Sequence, residues 1–159
     1  MDRGERSSGS SKWHRVFGIN EGTLPPESLL DYLQEYLGQP PVSAEFRGDE
    51  LGWFEADLEL PGVGPLVILR YLSSEEGIRA ELNTWAAWLE VHAPNAEPYM
   101  QHVIRTKQLF TFCSPGAASD FSLDLCRFLA RQTDGLIQVD GQGFLTADGT
   151  VIVGEQLNE

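Results

Sequence analysis

Several things are scarce or missing in this chain, and each absence narrows what it can be. Basic side chains are few: 11 Lys and Arg stand against 24 Asp and Glu, a formal net charge of −13. A surface so acidic repels nucleic acid and anionic membrane and attracts basic partners. Cysteine is nearly absent, and Cys113 and Cys126 alone make no disulfide framework. No apolar run is long enough to span a bilayer. Residues 1–11 contain no apolar stretch of the kind that defines a secretory signal. The expectation is a small cytoplasmic, bacterial-type protein with neither nucleic acid nor membrane as partner. GxSxG, HExxH, CxxC, P-loop and GxGxxG motifs are also missing, so the familiar hydrolase, zinc, redox and nucleotide signatures have no counterpart, and no cofactor or metal is expected.

What is present is an aromatic-rich, patterned sequence. Eight Phe, four Tyr and four Trp accompany an apolar fraction of 42%, enough to build one core in 159 residues and too little for two. The charge is unevenly placed. Arg3, Arg6, Lys12 and Arg15 crowd the start, whereas residues 16–97 carry only Arg47, Arg70 and Arg79 among many acids. Residues 1–12 read as a flexible tail, 13–153 as a single domain and 154–159 as a polar C-terminal tail.

Along that domain, residues 13–19 form a first strand. Pro25 and Pro26 open a helix whose Leu29, Leu33, Tyr36 and Leu37 share one face, and Gly38 with Pro40 and Pro41 ends it. Three strands follow, over 42–47, 51–60 and 66–72; the first belongs at an edge, and the last, nearly all apolar, belongs centrally. Ser73 and Glu76 match a capping box for a helix carrying Ile78, Leu82, Trp85 and Leu89. A short helix over 98–105, a strand over 108–113 and a helix capped by Ser119 or Asp120 and ending at Thr133 come next. Strands over 136–140, 141–147 and 150–153 complete the chain, the last two joined by the Asp148-Gly149 turn. The predicted fold is α+β: a two-layer domain of mainly antiparallel sheet with helices on one face. Residues 15–60 and 108–153 share a strand, helix, antiparallel-strand order, which reads either as two related halves or as coincidence between ordinary strand patterns.

The strand over 51–60 supplies the main candidate site. Strict alternation puts Phe54, Ala56, Leu58 and Leu60 on one face and Trp53, Glu55, Asp57 and Glu59 on the other. Those carboxylates stand roughly 7 Å apart, so solvent or a cation must lie over them. An acid stripe beside an indole suits a basic protein surface, the acids steering and the ring supplying desolvated area; a solvated outer sheet face accounts for the same pattern.

Other candidates carry less. Asp140 to Asp148 is rich in Gly and Asp, but Phe144 and Leu145 occupy positions where a calcium loop needs oxygen ligands, and hairpin turns fit better. A Cys113–His102 pair would be a nucleophile and base if helix and strand brought them together. Arg47-Gly48-Asp49 spells an adhesion tripeptide inside a turn, and Glu75-Glu76 complements a helix dipole.

In size, acidity and the helix, three-strand, helix run from Pro26 to Glu90, the chain loosely resembles type III secretion chaperones. That resemblance spans about the first half, rests on element order alone, and departs from the pattern in the strand before the first helix and the helix before the closing strands. The expected function is a non-enzymatic interaction protein that binds a basic partner, in the manner of an immunity protein or a secretion chaperone, through Trp53, Glu55, Asp57 and Glu59. A small-molecule or metal-binding domain, including an enzyme of unfamiliar type, is the alternative, and a homodimer meeting through Trp53 and Trp88 is a third. Arg3, Arg6, Lys12 and Arg15 could shield the acid face in the free protein.

Overall fold

The computed structural model describes residues 12–113 and 119–154. Of the expected tails, 1–12 and 154–159, residues 1–11 and 155–159 lie outside them, as do the loop at 114–118 and the side chain of Ser119, while Gly154 ends the last strand. Eight strands, β1 Trp13–Gly18, β2 Ser43–Asp49, β3 Gly52–Leu60, β4 Gly64–Leu72, β5 Gln108–Cys113, β6 Gly135–Val139, β7 Gly143–Leu145 and β8 Val151–Gly154, form one sheet. Their order is β2-β3-β4-β5-β1-β6-β7-β8, and every pairing is antiparallel. The four helices are α1 Pro26–Leu37, α2 Ile78–His92, α3 Ala96–Ile104 and α4 Ser119–Thr133. This is a single α+β domain, with β2 at an edge as its pattern predicts.

The helices do not form one layer. Val16, Ile68, Phe110, Phe112, Ile137 and Val139 point to α1 and α4, where Leu29, Leu33, Leu125 and Leu129 complete one core. Their strand neighbours Phe17, Leu109, Leu136 and Phe144 point the other way, to Leu82, Leu89 and Val103 of α2 and α3. The physical reason lies in β1, β5 and β6, which are apolar at successive positions. Such strands need cover on both faces. The expected helical layer over one face is therefore one of two.

The two similar runs take different places in this sheet. β2, the first strand after α1, lies at the far edge, whereas β6, the first after α4, lies beside β1.

Local chemistry explains the element ends. Pro26 sits in the first turn of α1, and Gly38, at φ 77°, closes it with its N–H donating to Gln34 O. The Ser73–Glu76 capping box does not form. Glu75 instead accepts the Leu72 N–H at 2.8 Å, and α2 begins only after Gly77, which is left-handed and gives no side-chain cap. No helix among the described residues is long and apolar enough to cross a membrane.

Two histidines are enclosed in this architecture. His14 is buried, stacked on Phe112 with ring centroids 5.0 Å apart, and His102 on α3 places Nε2 3.1 Å from Phe17 O. Burial disfavours the imidazolium, so both pKa values lie below the usual 6.5. The unfolded chain then takes up these protons first. The stability associated with the two neutral rings is complete above pH 6.5 and falls as the pH drops from there toward the lowered folded-state values. Denaturant titrations between pH 7.5 and 5 should show that loss, and His14→Phe should reduce its slope by up to one proton, about 1.4 kcal/mol per pH unit.

Candidate interaction face

The side of the sheet facing α2 and α3 is only half covered. Those helices pack on β1, β5, β6, β7 and, through Ile152 and Val153, β8, and reach β4 only at Tyr71. Over β2, β3 and the rest of β4 the face is open among the described residues. One register row shows the transition: Arg47, Glu55, Leu69, Thr111, Arg15 and Gln138 are successive cross-strand partners from β2 to β6. At its covered end Arg15 donates to Gln138 Oε1 at 2.6 Å and Asp140 Oδ1 at 2.8 Å, and stacks 4.9 Å from the Trp85 ring centroid. Arg15 is thus committed far from the acid stripe it was expected to help shield; Arg3 and Arg6 lie outside the described residues.

At the open end, Glu55, Asp57 and Glu59 do line up on the outer face of β3, opposite Arg47, Glu45 and Ser43 of β2. The cation that such a row requires is supplied internally. Arg47 Nη2 lies 2.8 Å from both Glu55 Oε2 and Asp57 Oδ2, and Nη1 is 3.6 Å from Glu45 Oε2. These carboxylates raise the Arg47 pKa further above its ordinary value. One guanidinium cannot neutralise four acids, so the cluster stays strongly negative. Glu59 makes no ion pair among the described residues.

Trp53 is not on this face. Pairing slips between Arg47 and Gly48: Arg47 faces Glu55, but Gly48 faces Trp53. Phe54 is the extra residue, a bulge that reverses the alternation on one side of it. Trp53 therefore turns into the α1/α4 core, 4% exposed, donating through Nε1 to Leu24 O at 2.8 Å and meeting Phe46 edge-on at 5.5 Å. Phe54 takes the outer position with 42% of its surface exposed. Glycine makes this possible: a Cβ on Gly48 would lie 2.7 Å from Trp53 Cα, and Gly52 holds φ 106°. A buried Trp53 also removes it from any surface dimer contact, and Trp88 is stacked on His92 and packed against Phe144.

The open face thus combines the acids with apolar groups that sequence alternation had not placed there: Phe54, Val67, which is 45% exposed, and the half-buried Leu69. Its edge carries Leu51, also exposed. The remaining candidates do not assemble. His102 reaches Phe17, whose strand partner is Leu109; Cys113 is four residues further along β5, about 13 Å away. The Asp140–Asp148 segment forms turns on either side of the short strand β7: Gln142 N–H donates to Val139 O at 2.9 Å, and Asp148 bonds the Thr146 hydroxyl. No group of three or more His, Cys, Asp or Glu side chains among the described residues is placed to hold a metal ion. No protein family, curated protein or solved structure matches the chain.

Placement of the two aromatic neighbours has a measurable consequence. Trp53→Ala should cost about 3–5 kcal/mol in urea unfolding, as expected for emptying a large core site. Phe54→Ala should cost less than about 1 kcal/mol. Strict alternation along β3 demands the reverse.

Proposed function

We propose that this protein is a non-enzymatic binding module that holds a basic protein surface against the open face of β2, β3 and β4. One observation carries the reading: Glu45, Glu55, Asp57 and Glu59 project from the half of the sheet left without helical cover, beside exposed Phe54 and Val67. The acids raise the encounter rate with a cationic partner and fix its orientation. The apolar groups give the area that must be desolvated for lasting affinity. Arg47 has a second role here as an internal competitor, holding the carboxylates in one place and setting a threshold that a partner's Lys or Arg must exceed. Two biological settings fit this chemistry: neutralising a basic toxin as an immunity protein does, or keeping a basic cargo soluble as a secretion chaperone does.

A salt-stepped pull-down with the intact chain, followed by titration of the recovered partner, tests this. Replacing Glu55, Asp57 and Glu59 together by Lys should abolish capture of a basic protein, while Arg47→Gln should tighten it and raise the salt needed for elution. Loss of binding in both variants, or in neither, would rule out the acid cluster as the contact.

A further inference from the structure

A feature of a different chemical kind, a buried arginine beside a cavity, lies at the end of β4. Arg70 is 4% exposed, in a strand otherwise composed of apolar residues, Gly and Tyr. Burying a guanidinium costs several kcal/mol unless its charge is met. Its donors are only partly used. Nε donates to Gln108 Oε1 at 2.7 Å, and Nη1 donates to Leu51 O at 3.2 Å and Trp53 O at 2.9 Å. All three acceptors are neutral. The two N–H groups of Nη2 have no partner among the described residues and are reached by solvent rather than sealed off.

No carboxylate pairs with it there either. The two acids whose fields reach Arg70 are Asp49 and Glu75. Asp49 accepts the Leu51 N–H at 2.9 Å, and Glu75 accepts the Leu72 N–H at 2.8 Å. Strapping the carbonyls of Leu51, in the turn, and Trp53, beside the bulge, explains why a donor fork sits here. It does not explain a full charge, which a neutral amide would have avoided.

That charge borders a cavity of about 420 Å³. Around it stand a second cation, Lys107, and the hydroxyl residues Thr23, Ser73 and Ser74. Gly52 keeps this wall thin, since a Cβ there would come within 2.7 Å of Thr23 Cγ2 and 3.1 Å of Arg70 Nη1. Glu21, 3.8 Å from Lys107, and Glu50 lie on the same rim. They offset the two cations, so a doubly charged phosphate gains little; with Nε and Nη1 taken by neutral acceptors, Nη2 is the donor left for a singly charged carboxylate.

We propose that this cavity binds the carboxylate of a small ligand, with Arg70 as its charged floor and Lys107 and the Thr23, Ser73 and Ser74 hydroxyls around it. Two sources share that chemistry, a free small carboxylate and the C-terminus of a peptide. The site stands independently of the acid face, and either can fail without the other.

The test is a ¹⁵N–¹H titration of the intact protein with sodium acetate, N-acetylglycine and inorganic phosphate, matched in ionic strength by sodium chloride. The Arg70 Nε–H and the amides of Thr23 and Ser74 should move saturably with the two carboxylates. Tighter binding of N-acetylglycine than of acetate would identify a peptide terminus, and equal binding a free acid. Because Arg70 also holds the bulge, Lys107→Gln at an exposed position is the second variant; it should weaken both carboxylates about two- to five-fold with the unfolding midpoint unchanged. Shifts that are linear and equal to those with chloride would overturn the site. Phosphate saturating more tightly than either carboxylate would overturn the ligand class, and unchanged affinity in a folded Arg70→Gln protein would overturn the role of its charge.

Discussion

Strand β1 hydrogen-bonds to β5 along one edge and to β6 along the other, and within the sheet it joins two antiparallel runs of strands, β2 to β5 and β6 to β8. It also joins the two cores, because Val16 lies in one and Phe17 in the other. Sheet continuity and both helical layers therefore depend on six residues near the start of the domain. Their partners lie roughly a hundred residues downstream, so the loop-closure entropy of the whole domain must be met before this strand is paired.

The second constraint is the bulge between β2 and β3. One unpaired residue exchanges the places of Trp53 and Phe54, sending the larger ring to the α1/α4 core and the smaller to the surface. Beside it Arg70 donates to Leu51 O in the turn and to Trp53 O next to the bulge. A single slip in register thus shapes the open face and anchors the wall of the cavity beneath it. Bulges commonly re-aim side chains near binding sites, and here the effect extends to both sheet faces.

Much of this was legible in the residues. β5 matches its predicted bounds, α1 is framed by the Pro25-Pro26 pair and Gly38 as expected, and β2 lies at the edge. Periodicity identifies which stripe of a helix is buried but not which sheet face it meets, so the second layer over β1, β5 and β6 did not follow from the helix patterns. The signal was in the strands, where Val16-Phe17, Leu109-Phe110 and Leu136-Ile137 are adjacent apolar pairs that one covered face cannot absorb. Trp53 was misplaced because alternation was carried through a segment flanked by Gly48 and Gly52, the residue type that marks bulges. Ser73 and Glu76 had the spacing of a capping box, but Gly77 breaks the chain before the helix starts. Arg70 and Gln108, polar residues in apolar strands, were the trace that the cavity left in the sequence; their hydrogen bond spans β4 and β5 and could not be read from either strand alone.

The partial cover of the outer face has a geometric origin. Eight strands about 4.8 Å apart measure roughly 34 Å across, whereas the fifteen residues of α2 extend only about 22 Å. Neighbouring strands are also rotated by about 20–25°, so the normals to the sheet at β3 and at β6, four steps apart, diverge by roughly 90°. A straight helix seated over β6 must leave the surface before it reaches β3. The bare half is thus a saddle turned away from its own cover, and an object that settles there must be curved, or flexible enough to follow the twist.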